Sequence, residues 1–213
     1  GCHRGQVFML RGELQRAVDE LRGALAIDKS VMLTHVQLGM SLFRLGQHTA
    51  AAETFRSAEK LFPNMAEVFN FHGEILLESR DEAGALAKFE EAIRVGGDYL
   101  AAAYVNKAIA KLQASRGQAV DEAMELLSRA LKADPLSEAA LIHSAQLKWQ
   151  RSDLKGAVEC YDRAIALMRT KEELAEAFSM REAAAAHLAL YEARPDIYGP
   201  AMERARQRQM AQM

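Results

Sequence analysis

Gly5, Gly39 and Gly73 recur at one constant interval, and Gly12 and Gly46 repeat it. Three further series keep the same step: Ala17, Ala51 and Ala85; Leu21, Phe55 and Phe89; Ala24, Ala58 and Ala92. The step from Ala92 to Ala130 is longer by four, after which Ala123 to Ala157 and Ala130 to Ala164 return to the first interval. One insertion accounts for the slip, and the pattern places it within Ser115 to Val120. A fixed period of about 34 residues is the mark of a supersecondary unit that cannot bury its apolar face alone and so stacks on copies of itself.

The unit follows from the residue types. A small residue early in the period lets two helices approach closely, a glycine between them allows a left-handed turn, and the later Ala and Phe or Leu pack the second helix. Pro63 and Pro135 fall where a second helix should end, because a ring without an N–H cannot extend it. Gly, Ala, Phe or Leu and Pro, in this order and at this period, resemble the tetratricopeptide repeat. The expected fold is all-α, a tetratricopeptide-repeat superhelix of antiparallel helix pairs with a C-terminal capping helix segment. Residues 1–171 divide into five helix-pair repeats, the first truncated and the fourth carrying the insertion near 115–120. Residues 172–213 form capping helices of the same domain: "KEELAEAFSMREAAAAHLALYEA" reads as one long helix, Arg194-Pro195 breaks it, and "GPAMERARQRQM" reads as a last one. Terminal units deviate because an end must cover the last apolar face with a solvated one.

Half of the 213 residues are hydrophobic and only four are proline, as a helical chain with a core requires. A net charge of -2 with mixed signs lacks the concentrated basic face that phosphate backbones demand, so nucleic acid is not an expected partner. Cys2 and Cys160 are too few and too far apart for a disulfide framework, which suits a reducing compartment. No run approaches the ~18 apolar residues of a membrane span. The chain opens at Gly1 inside a helix pattern and reads as a piece of a longer protein.

Nothing in the sequence supports catalysis, and no metal or cofactor is expected. The histidines are scattered over different repeats without ligand spacing, and no phosphate-binding glycine loop is present. Carboxylate pairs such as Glu90-Glu91 and Glu172-Glu173 suit solvated faces or helix N-termini. Binding is the remaining function. The first helix of each repeat lines the concave face, from Gln6 and Met9 through to Gln146 and Trp149, and its mixture of Met, aromatic and amide side chains suits peptides of variable sequence. Met40, Phe43 or Trp149 can equally be core between helices. The Lys, Asn and Arg clamp with which some tetratricopeptide domains hold chaperone-tail carboxylates has no counterpart here, where the equivalent positions carry Cys2, Gln6, Gln37, Glu67, Phe71, Ala101 and Val105.

Longer strings carry a narrower resemblance. "THVQLGMSLFRLG", "TFRSAEKLFPNMAEVFNFHGEILLE", "AYVNKAIAKLQ", "EAMELLSRALKADPLSEAALIHSAQLKWQ" and "AVECYDRAIALMRTKEELAEAFSMREA" are similar to the C-terminal half of the large tetratricopeptide receptors of the mitochondrial outer-membrane translocase. The likeness includes the longer fourth unit and the Leu167 to Glu173 entry to the closing helix, which a generic repeat would not share. It implies a cytosol-facing domain at the mitochondrial outer membrane that binds carrier-type preproteins with internal targeting signals and passes them to other translocase subunits. Chaperones would be met only by an N-terminal repeat domain outside this chain, and a homodimer stays open. The implied groove comprises Gln37, Met40, Phe43, Arg44, Asn70, Glu74, Leu77, Tyr104, Asn106 and Lys107. Met40, Phe43, Leu77 and Tyr104 would give apolar contact, the others backbone or charge pairing. The competing reading is a generic scaffold for another protein assembly.

Overall fold

The computed structural model describes residues 2–200 and residue 203. Among the described residues lie eleven α-helices, one short 3-10 segment and a further helical stretch at 195–200, with no strand, so the all-α expectation holds. The chain forms two compact units that divide between Asn106 and Lys107.

The first unit contains α1 (Cys2–Leu10), α2 (Leu14–Ile27), α3 (Met32–Arg44), α4 (His48–Leu61), α5 (Ala66–Glu78), α6 (Glu82–Gly96), the 3-10 segment Gly97–Tyr99 and the first half of α7 (Ala101–Ala114). Short turns join helices that pack on one another in sequence, α1 on α2, α3 on α4 and α5 on α6, and α1, α3 and α5 also touch side by side. The periodic glycines explain how closely these pairs approach. A Cβ built on Gly5 would lie 2.6 Å from Leu21, and one on Gly73 would lie 2.5 Å from Phe89. Gly39 meets Phe55 in the same way. Each large side chain occupies the space that the missing Cβ leaves, and Leu21, Phe55 and Phe89 are wholly buried beside Ala17, Ala51 and Ala85. Phe55→Ala would empty such a site at a cost of about 3–5 kcal/mol.

The turns are set by local chemistry. Gly12 and Gly46 adopt φ of 74° and 77° between paired helices. The third member of that series is Arg80, which takes the same left-handed conformation at φ 65° without being glycine. Pro63 sits just beyond Phe62, the C-cap of α4, and terminates that helix as its position predicts.

The second unit holds the rest of α7, then α8 (Val120–Ala133), α9 (Glu138–Gln150), α10 (Leu154–Ile165) and α11 (Lys171–Ala193). Ser137, Asp153 and Thr170 cap α9, α10 and α11 by accepting from the backbone N–H of Ala140, Gly156 and Glu173. Leu127, Leu141, Ala145 and Tyr161 are buried here, and α11 adds Ala177 and Ala184. Arg181 of α11 donates to Asp162 of α10 at 2.9 Å. α11 ends at Ala193 with Arg194 as its C-cap before Pro195, and residues 195–200 are helical again. Beyond Pro200 the expected last helix, "GPAMERARQRQM", lies outside the described residues apart from Glu203.

The lengthening of the fourth repeat falls in two places. The helices α5 and α6 begin at 66 and 82, whereas α7 and α8 begin at 101 and 120, a step longer by three. Most of the insertion therefore lies in the expected turn after α7. The remainder precedes α7: α4 and α5 begin at 48 and 66, but α6 and α7 begin at 82 and 101, a step longer by one. The turn at Gly97, which takes φ 61°, absorbs it.

Candidate functional site

Nine of the ten residues expected to line a groove lie in the first unit. Arg44 is exposed at the end of α3, and Met40, Phe43, Leu77 and Asn106 are half-buried. Met40 and Phe43 pack against the core cluster built around Leu42 and Phe55. The Phe43 ring meets His48 edge-on with centroids 4.9 Å apart, which holds it toward the start of α4. Gln37 is buried at 7% exposure and Tyr104 at 2%, and both already have partners within the protein. Lys107 begins the second unit and is likewise engaged.

Three of these residues come together as a polar cluster between α5 and α7. Asn70 Nδ2 donates to Glu74 Oε1 at 2.8 Å. Asn106 Nδ2 donates to the same oxygen at 2.9 Å and to Asn70 Oδ1 at 3.1 Å. Asn70 is 4% exposed, so its amide is consumed inside the cluster rather than offered to a ligand backbone. Both amides reach one carboxylate oxygen, which leaves Glu74 Oε2 to other donors. Burial pushes the Glu74 carboxyl above its ordinary value, and nearby Glu78 pushes the same way, while the two amide bonds pull it back. Glu67, Glu74 and Glu78 recur at helical spacing on α5, so the cluster presents acceptors and negative charge. Such a face can accept a hydrogen bond from a donor, most strongly from a cationic side chain.

Behind α5 lies a second cluster that sequence reasoning missed. Glu59 on α4 meets His72 Nδ1 on α5 at 2.6 Å and Lys88 Nζ on α6 at 2.7 Å, so one carboxylate ties three helices. His72 stacks on Phe55 with centroids 5.3 Å apart, and Lys88 lies over the Phe69 ring. Desolvation raises the Glu59 carboxyl, but the bonds from His72 and Lys88 together carry it below its ordinary value. The only signal in the sequence was a Glu and a His at positions that otherwise turn inward. Among the described residues no group of three or more His, Cys, Asp or Glu could hold a metal, and no helix is long and apolar enough to cross a membrane.

A tetratricopeptide-repeat family profile matches residues 36–99 and 107–169, well over half of the chain. The mitochondrial import receptor subunit TOM70 of Saccharomyces cerevisiae is 32% identical over 187 residues, covering 85% of this chain and 30% of the yeast protein. The human TOM70 subunit is 26% identical over 189 residues, covering 85% of this chain and 31% of its own length. This chain thus spans under a third of the length of these relatives. In the crystal structure of yeast Tom70 a matching region covers 90% of this chain and 40% of that one, with a TM-score of 0.81 at 30% identity. Repeat profile, relatives and shared fold agree on a protein-binding module that is not an enzyme. With its periodic glycines, its helix pairs and the α5 face accounted for, the chain belongs to the tetratricopeptide-repeat family and is TOM70-like over most of its length.

Proposed function

We propose that this chain is the cargo-binding part of a mitochondrial protein-import receptor, taking hydrophobic preproteins with internal targeting signals at the outer membrane's cytosolic face and handing them to the translocase. The relatives' name, mitochondrial import receptor subunit, supports the receptor role. The observation that carries the groove assignment is the Asn70–Glu74–Asn106 cluster. It presents a carboxylate oxygen that neither amide engages, with half-buried Leu77 three residues on along α5 and half-buried Met40 at the equivalent repeat position of α3. An acceptor with apolar neighbours fits a segment that offers apolar and basic side chains together, as an amphipathic helix does. A tight complex would trap cargo in transit, so micromolar affinity, about -8 kcal/mol, suits the role.

The test is a titration with a fluorescent internal segment of a carrier preprotein against the wild type, Glu74→Gln and Phe43→Glu. Glu74→Gln keeps an oxygen for both asparagines and removes only the charge. Saturable binding that weakens about tenfold in Glu74→Gln, as loss of one charge-assisted contact should do, supports the reading. Equal binding by both proteins would remove Glu74 from the site, and no binding by the wild type would favour a scaffold with another partner.

A further inference from the structure

The polar cluster between α5 and α7 occupies the Glu74 carboxylate unevenly. Each oxygen of a carboxylate accepts about two hydrogen bonds. Asn70 Nδ2 at 2.8 Å and Asn106 Nδ2 at 2.9 Å both donate to Glu74 Oε1, which fills that oxygen. Asn106 Nδ2 also donates to Asn70 Oδ1 at 3.1 Å, so the two amides are tied to each other and held against the same atom. Glu74 is left with Oε2 alone to offer to a ligand.

The two basic side chains ask different things of such an acceptor. A guanidinium is a planar fork that binds a carboxylate best through two parallel bonds, one to each oxygen, whereas an ammonium is a point donor that needs only one. With Oε1 filled, the fork has no place for its second N–H. We propose that the α5 site selects lysine over arginine in the segment it binds, and that Asn70 and Asn106 are the positioning residues that set this choice by closing Oε1. This selectivity rests on the cargo-binding role proposed above and names the basic side chain that role calls for. The walls of the site suit the same ligand. Half-buried Phe71 and Leu77 stand three residues before and three after Glu74, on its two flanks. A lysine can lay its apolar stem along such surface while its ammonium stays at the polar atom. Exposed Glu78 adds negative charge on the same face, which favours either cation and so does not decide between them.

The test uses the same fluorescent carrier-preprotein segment, synthesised in two forms, with every basic residue as lysine or every one as arginine. The wild type should bind the lysine form about fivefold more tightly, since the arginine form loses the paired geometry that gives a guanidinium its advantage. Asn106→Ala reopens Oε1, so the ratio of the two affinities should fall to one or invert. Asn70→Ala frees the same oxygen from within α5 and should shift the ratio in the same direction. Amides with a merely structural role would weaken both forms alike and leave the ratio unchanged. Circular dichroism checks that both variants stay helical, and the wild-type comparison decides by itself if either does not. An arginine form that the wild type binds as tightly as the lysine form, or more tightly, overturns the proposal, and so does a ratio that survives in both alanine variants. Glu74→Gln separates this selectivity from the groove itself. If it weakens both forms while the wild type does not discriminate between them, the groove stands and the selectivity falls; if it weakens neither, both fall.

Discussion

Tyr161 stands at the repeat position held by Phe55 and Phe89, and its hydroxyl is buried without a hydrogen-bond partner among the described residues. Burial raises its phenol above the ordinary value, so the group stays neutral and gains nothing from being polar. Tyr161→Phe should therefore stabilise the chain by about 1 kcal/mol, seen as a higher urea midpoint at unchanged slope. The two half-buried glutamates act in opposite directions. Glu59 is lowered in the folded state, so its contribution is present above the ordinary carboxyl range and is lost as the pH falls through its folded value. Glu74 is raised, so folding favours its protonated form and stability is lost as the pH rises through its folded value. Glu59→Gln should flatten the acid limb of a stability-against-pH curve, and Glu74→Gln should raise stability at neutral pH. Coinciding curves for wild type and Glu74→Gln would contradict the second expectation. Neither role was legible in the sequence, because Glu59, His72 and Lys88 meet only after three helices have packed.

At the scale of helix pairs, the repeat period was legible because it records a packing rule: a position without a Cβ opposite a large ring. Gly73→Ala drives a methyl into Phe89 and should cost about 1–3 kcal/mol. Adding Phe89→Leu should recover part of that loss, since the first pair already joins Gly5 to a leucine, Leu21. A double-mutant cycle by urea denaturation reads the coupling, expected at about 1 kcal/mol. Register along α7 was less legible. One residue inserted before that helix puts Ala108, rather than Lys107, at the buried place of Gly73, so counting in whole periods lands one residue early. Tyr104, reached by such a count, is core in the structure. Insertions leave no trace in a helix whose small residues are interchangeable, as "AAAYVNKAIA" is.

For the molecule as a whole, the helix pairs were readable from period alone, while the chemistry of the groove was not. Asn70 looked like a donor to a ligand because a repeat position shows neither its burial nor its neighbours; Glu74 and Asn106 reverse that reading. All of the polar cluster lies on one side of the division at Asn106. Cargo bound there should protect backbone amides of α3 and α5 from hydrogen exchange and leave those of α10 and α11 unchanged. Equal protection across both sets would place the bound segment elsewhere. The close fit of glycine against ring also bears on how such chains can be recombined. In the second unit Ala145 stands where Gly73 stands in the first, yet it faces the large Tyr161, so that pair of helices is spaced for an extra methyl. Exchanging α5 for α9 alone would bring a methyl against Phe89, whereas a chimera cut at the turns between pairs inherits each small residue with the ring it was matched to. Recombination that keeps each small residue with its ring therefore exchanges whole hairpins, with the turns after α2 and α4 as the joints.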